Sequence, residues 1–113
     1  MTRRSGIPIP IVVTLPDAAW HDVTATVTEQ MEAYGADPQA FYLVGVHARA
    51  GVYDPYLSFR AQNDNKAFKI PALVEWDNIG VFFQIGMTAI HLRSTNATGD
   101  IIEILAAPEV KNA

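Results

Sequence analysis

Residues 56–62, YLSFRAQ, decide the fold class of this chain, because apolar and polar residues alternate through them. Leucine, phenylalanine and alanine occupy the odd-numbered positions, while tyrosine, serine, arginine and glutamine occupy the even-numbered ones. Successive side chains of a β-strand point to opposite faces of the sheet. The alternation therefore predicts an antiparallel strand with one face against a core and the other in water.

Similar short segments recur on both sides of this strand. Residues 41–50 and 80–105 are rich in aromatic and β-branched residues, and turn residues at 63–65 and 96–100 interrupt the pattern. Short strands spaced by roughly ten residues are typical of β-sandwiches and small barrels. We therefore predict a mainly β fold, an antiparallel β-sandwich or jelly-roll-like domain.

One short α-helix is predicted over residues 24–34. Apolar residues recur there at helical spacing, and Gly35 stands where a left-handed residue commonly ends a helix. Thr26 and Glu29 have the spacing of a capping box. An extended loop is the alternative, because the stretch TATVT at 24–28 is rich in β-branched residues.

The length of 113 residues suits one domain. We assign residues 1–10 to a flexible basic N-terminal arm, 11–107 to a single β-sandwich domain and 108–113 to a C-terminal tail. The sequence contains no cysteine, which excludes a disulfide framework and a thiol nucleophile.

The composition points to self-association. Half of the residues are hydrophobic and only 18% are charged, whereas soluble domains usually carry about 25% charged residues. A small domain leaves much of its chain at the surface, so a low charge implies apolar surface that is exposed or covered by a partner. We therefore expect a homo-oligomer.

The charge is distributed unevenly along the chain. Eight basic and twelve acidic residues give −4, and without Arg3 and Arg4 the balance is 6 − 12 = −6. An acidic body argues against nucleic-acid binding, except by the basic arm, which could alternatively reach an acidic neighbour or simply be disordered. Arg3 and Arg4, together with the apolar Ile7, Ile9 and Ile11, are the predicted assembly residues.

The sequence shows no signal-peptide core or membrane span that would indicate a further class of function. The apolar run at 7–15 is nine residues long and contains two prolines, and no stretch reaches the roughly 18 apolar residues of a membrane span. We expect no membrane partner and synthesis in a bacterial cytoplasm.

The sequence predicts no catalytic residue, metal site or cofactor. His21, His47 and His91 lie on three separate segments without metal-ligand spacing, and there is no G-x-S-x-G motif or glycine-rich phosphate loop. An alternative is a small enzyme with an apolar pocket in which Glu75 or His91 acts as the acid or base.

A repeated pattern suggests a ligand or partner contact. Residues 46–49 (VHAR) and 90–93 (IHLR) share the order apolar, His, apolar, Arg. If both strands lie in one sheet, His47, Arg49, His91 and Arg93 would form, with Arg60, a cationic stripe able to bind an anion, a sugar acid or an acidic subunit face. The alternative is a solvated face whose cations pair with acids on neighbouring strands.

Trp20, Tyr53 and Tyr56 lie near predicted turns or strand ends, where aromatic rings can stack on sugars. These residues extend the same hypothesis to a glycan-binding module. Anchoring of a core or an interface is the alternative explanation for them.

The last third of the chain resembles small β-sandwich modules of tailed-phage virions. The similarity lies in GVFFQI at 80–85, MTAIHLRS at 87–94 and ATGDIIEIL at 97–105, and two shorter segments, WHDV at 20–23 and LSFR at 57–60, are also similar. The resemblance implies a non-enzymatic structural subunit of a head-decoration, head-to-tail or fibre assembly. Its partners would be copies of itself and other virion proteins, and its location would be the virion.

Overall fold

The protein is described by a computed structural model over residues 3–5, 7–50, 52–70, 76–84 and 89–111, with side chains described for 7–50, 52–70 and 89–108. The elements are β1 (Arg3–Ser5), β2 (Ile9–Leu15), β3 (His21–Asp22), α1 (Thr24–Ala33), β4 (Ala40–Ala48), β5 (Pro55–Ser58), a 3₁₀ turn (Asp64–Lys66), β6 (Phe68–Lys69), β7 (Trp76–Gln84), β8 (His91–Ser94) and β9 (Asp100–Lys111).

The strands form two antiparallel sheets that pack against each other with one helix beside them. One sheet has the order β1–β9–β4–β7, and β2 pairs with β9 as well. The other has the order β3–β8–β5–β6. The predicted fold class, a mainly β antiparallel sandwich with one short helix, is confirmed. Among the described residues, no helix combines the length and apolar character needed to span a bilayer.

The core lies between the two sheets, where β2 and β8 bury alternate residues. In β2 the buried positions are Ile9, Ile11, Val13 and Leu15. Leu57 of β5 and Leu92 of β8 are buried in the other sheet, and they are paired across the two strands. Each aliphatic side chain buried in this way contributes about 1.5–3 kcal/mol to folding.

The helix begins at Thr24, as predicted, and not at residue 27, where a capping box led by Thr26 would begin it. Oδ1 of Asp22 accepts hydrogen bonds from the Thr24 N–H at 3.0 Å and the Thr24 hydroxyl at 2.6 Å. The predicted capping box at Thr26 is wrong, because Thr26 lies inside α1. The left-handed C-terminal residue is confirmed: Gly35 has φ +77° and donates its N–H to the Glu32 carbonyl.

The helix also closes the outer edge of β2. The side-chain amide of Gln30 reproduces a strand partner: its Oε1 accepts from the Val12 N–H at 2.9 Å, and its Nε2 donates to the Val12 carbonyl at 2.6 Å. An edge strand whose polar backbone groups are occupied cannot recruit another strand at that point.

Three element bounds differ from the prediction. β5 ends at Ser58, not at residue 62, because Oγ of Ser58 accepts from the N–H groups of Arg60 at 3.3 Å and Ala61 at 3.2 Å and turns the chain. The strands run past the predicted domain bounds of 11–107, since β2 begins at Ile9 and β9 ends at Lys111. Part of the predicted arm is also a strand, β1.

Candidate functional site

The two His-Arg segments of the sequence lie in different sheets. His47 belongs to β4 of the sheet that contains β9, and Arg49 directly follows that strand, whereas His91 and Arg93 belong to β8 of the other sheet. Arg60 lies beyond the end of β5 and is exposed. The condition for a single cationic stripe, that both segments share a sheet, is therefore not met.

The β4 segment pairs with an acid on the neighbouring strand. His47 lies opposite Glu103 in the β4–β9 register, with His47 Nε2 at 2.9 Å from Glu103 Oε1. Arg49 Nη2 lies 3.3 Å from the second carboxylate oxygen. The hydrogen bond from Arg49, and to a smaller extent the nearby His47, lowers the pKa of Glu103 below its ordinary value. One carboxylate thus engages both polar side chains of this segment.

The β8 segment belongs to a cluster that we call the aromatic–cation cluster, and Tyr56 of β5 stands at its centre. Arg93 on β8 and Lys69 on β6 are the cross-strand neighbours of Tyr56. The Arg93 Cζ lies 5.4 Å and the Lys69 Nζ 6.0 Å from the centroid of the tyrosine ring. Trp20 meets the same ring edge-on at 6.4 Å between centroids. The full cluster comprises Trp20, Tyr56, Asp64, Lys69 and Arg93.

Asp64 links the cluster to two loops. Its Oδ2 lies 2.8 Å from Arg93 Nη1, and its Oδ1 accepts from Trp20 Nε1 at 3.1 Å. Arg93 also donates from Nε to the Ala18 carbonyl at 2.9 Å. The cluster therefore fastens the loop before β3 and the 3₁₀ turn to the outer face of the sheet.

This arrangement disfavours the glycan and anion hypotheses for these side chains. Because β8 and β6 lie on opposite sides of β5, the two cations flank the Tyr56 ring where a sugar would stack. Each cation also has an internal acid, since Lys69 Nζ lies 3.5 Å from Asp54 Oδ2 and Arg93 pairs with Asp64. Tyr53, in the loop before β5, is exposed and lies outside the cluster.

His91 stands in a row that the sequence did not reveal. The register places Asp22, His91 and Ser58 opposite one another on β3, β8 and β5, and these are the residue types of a serine hydrolase triad. Ser58, however, is only 1% exposed, and its hydroxyl donates to the Lys66 carbonyl at 3.4 Å. His91 Nδ1 lies 3.3 Å from Gln62 Nε2. The Ser58 hydroxyl is bound to the backbone of the turn that follows β5 and is buried, so it is not positioned to attack a substrate.

An apolar groove opens at one end of the sandwich. Ile7 is 87% exposed and Tyr34, the residue that ends α1, is 62% exposed. Both line a groove of about 610 Å³, which we call the end groove. Its lining residues are Ile7, Pro8, Ile9, Tyr34, Gly35, Ala36 and Pro108.

The other predicted assembly residues lie elsewhere. Ile9 and Ile11 are 7% and 0% exposed and pack in the core of their own chain, so Ile7 is the isoleucine of the segment that remains at the surface. Arg3 and Arg4 lie in β1, opposite Lys111 and Val110 of β9. Glu75, the alternative acid or base, lies outside the described residues.

No protein-family model matches the chain, and no curated protein matches it significantly. Within the described part of the chain, no three His, Asp or Glu side chains converge on a metal-sized site. The His and Arg side chains of the two His-Arg segments make contacts within the chain, as does Trp20. Among the described residues, the end groove brings two exposed large apolar side chains, Ile7 and Tyr34, into one depression, whereas the other exposed ones, such as Val52 and Leu105, do not line it.

Proposed function

We propose that this chain is a non-enzymatic structural subunit that self-associates through its end groove, and that it assembles into a phage virion. The observation that carries the self-association is the exposure of Ile7 and Tyr34 on the rim of one continuous apolar groove. An isoleucine that is fully buried contributes about 1.5–3 kcal/mol. A two-fold contact would gain that contribution from each copy, because both copies present the same patch.

The chemistry of the groove suits a protein partner. The described side chains that line it include no charged group, so covering them would remove apolar surface from water without stripping a charge of its hydration. Exposed apolar patches of this kind mark interaction sites on soluble proteins. The low overall charge of 18% agrees with a subunit that covers part of its surface.

The virion part of the proposal is supported by the sequence resemblance alone. Two of its three main segments, 87–94 and 97–105, include β8 and the first half of β9, which are adjacent in the chain but belong to different sheets. A structural subunit of a head, a connector or a fibre works by contact with its neighbours. Its partners would be further copies of the chain and other virion proteins.

Sedimentation velocity and light scattering on the full-length chain test the self-association. We expect a concentration-dependent oligomer for the wild type, and a 12.4 kDa monomer for the double variant Ile7→Ser/Tyr34→Ser. Val52→Ser is the matched control, because Val52 is 68% exposed but does not line the groove. A wild type that stays monomeric at every concentration would contradict the proposal, as would equal losses in the control.

Mass spectrometry of purified particles tests the virion assignment. If a phage genome encodes this chain, we expect the protein in the particles at a stoichiometry of several copies. Particles that are complete and infectious without it would overturn the assignment and leave the self-association untouched.

A further inference from the structure

The first and last described strands form a ribbon that continues past the body of the sheet. Among the described residues, β4 pairs with β9 as far as Pro108, where Phe41 lies opposite. Beyond that point, residues 109–111 of β9 pair with β1 (Arg3–Ser5). We call this pair of segments the terminal ribbon. Three residues of strand extend it by about 10 Å.

The terminal ribbon is basic. Its residues include Arg3, Arg4 and Lys111 against the single acid Glu109, which gives 3 − 1 = +2. One segment of the ribbon directly follows Pro108, and the other ends two residues before Ile7. Both Pro108 and Ile7 line the end groove.

The groove residues 34–36 belong to an acidic stretch of the chain. Residues 24–40, which form α1 and the loop to β4, contain Glu29, Glu32 and Asp37 and no Lys, Arg or His. All three acids are exposed. The groove residues 34–36 lie between Glu32 and Asp37 in the chain, so each of these exposed acids is within two residues of the groove lining. We call Glu29, Glu32 and Asp37 the acidic rim.

We propose that the terminal ribbon of one copy lies across the end groove of a second copy and sets its basic residues against that copy's acidic rim. This inference rests on the proposed function, because it names the occupant of the groove. The ribbon and the groove are neighbours on one chain. A two-fold axis beside them therefore lets each copy give its ribbon to the other, which closes the assembly as a dimer.

The two parts of this contact do different work. The apolar groove supplies most of the affinity, since exposed ion pairs contribute little and are screened beyond about 8 Å at physiological ionic strength. The opposite charges orient the two copies and speed their encounter. Dimerisation should accordingly weaken as salt is added, while a contact made by the groove alone would not.

A charge-swap experiment on the full-length chain tests the proposal. One variant, Arg3→Glu/Arg4→Glu, has an acidic ribbon facing an acidic rim; the other, Glu32→Lys/Asp37→Lys, has a basic ribbon facing a basic rim. We expect each alone to dimerise about tenfold more weakly than the wild type at low salt. An equimolar mixture should recover wild-type affinity as a heterodimer, because both of its ribbon–rim contacts are again between opposite charges.

The mixture guards against misfolding, since a damaged chain cannot be rescued by a second damaged chain. Lys66→Glu is the control: it reverses an exposed charge on the 3₁₀ turn and should leave dimerisation unchanged. If both charge variants dimerise as the wild type does, or if the mixture recovers nothing, the ribbon contact is wrong. If in that case Ile7→Ser/Tyr34→Ser still abolishes association, the proposed function stands without it.

Discussion

The aromatic–cation cluster and the end groove show opposite ways of building a surface. In the cluster, Arg93 is 24% exposed and contacts three groups of its own chain: the Asp64 carboxylate, the Ala18 carbonyl and the Tyr56 ring. In the groove, Ile7 is 87% exposed and lies beside other apolar side chains. Trp20, Tyr56 and Arg93, whose residue types suggest binding in a sequence, are here used in contacts within the chain. The end groove instead exposes Ile7 and Tyr34 among other apolar residues.

This difference separates folding from association. A side chain whose polar groups are paired inside the chain contributes to the free energy of unfolding, and its loss should be seen in a denaturation experiment. A side chain that projects into water contributes little to folding, and its loss should be seen only when copies meet.

The largest effect is expected at Ile11, four residues after Ile7 in the same segment. Ile11 is 0% exposed in β2, so Ile11→Ala removes buried apolar contacts and leaves a cavity. The free energy of unfolding should fall by about 2–5 kcal/mol, measured by urea denaturation. A loss below about 0.5 kcal/mol, the range of ordinary surface changes, would mean that this segment does not belong to the core.

Arg93→Met should have the next largest effect. It removes the donor to the Ala18 carbonyl, the partner of Asp64 and the cation over Tyr56. We expect a loss of about 1–3 kcal/mol in unfolding free energy and no change in oligomer mass. Lys69→Met is the comparison within the cluster; its more exposed ammonium should cost less than about 1 kcal/mol. If Arg93→Met instead dissociates the oligomer while the free energy of unfolding is unchanged, the cluster is itself a surface that contacts the partner.

The sequence predicted the parts of the fold that depend on local pattern. Alternation identified the antiparallel strands, and Gly35 marked the end of the helix. The register between strands was beyond such reasoning, because Asp64 and Arg93 are 29 residues apart and meet only through the order β8–β5–β6. For the same reason the sequence alone could not decide whether the two His-Arg segments share a sheet.

The exposure of the isoleucines in segment 7–15 also could not be predicted from local pattern. Its sequence places isoleucine at 7, 9 and 11, which suggests one apolar face reaching a neighbour. Pairing of β2 with β9 buries Ile9 and Ile11 in the chain's own core, while Ile7 lies before the strand begins. One exposed isoleucine among three similar ones could not be singled out before the strand bounds were known.

A smaller effect is expected for Glu103, the paired acid of the other sheet. Arg49, and to a smaller extent His47, lower the pKa of Glu103 in the folded state. The ionised Glu103 therefore stabilises the fold when the pH is above its ordinary pKa of 4.5. This contribution is lost as the pH falls through the pKa of Glu103 in the folded state. The group is at the surface, which limits the effect to less than about 1 kcal/mol. Between pH 7 and pH 3, the wild type should lose more stability than Glu103→Gln. Parallel pH profiles would show that the carboxylate adds nothing to folding.

The smallest effect on folding is expected for the end groove itself. Ile7→Ser and Tyr34→Ser each replace a side chain that lies mostly in water, so the unfolding free energy of the dilute chain should stay within about 0.5 kcal/mol of the wild type. At high concentration the wild type alone should gain stability, because association favours the folded state by mass action. Denaturation midpoints measured across protein concentrations would reveal this divergence. If the variants lose stability even when dilute, Ile7 and Tyr34 support their own chain, and the contrast between groove and cluster disappears.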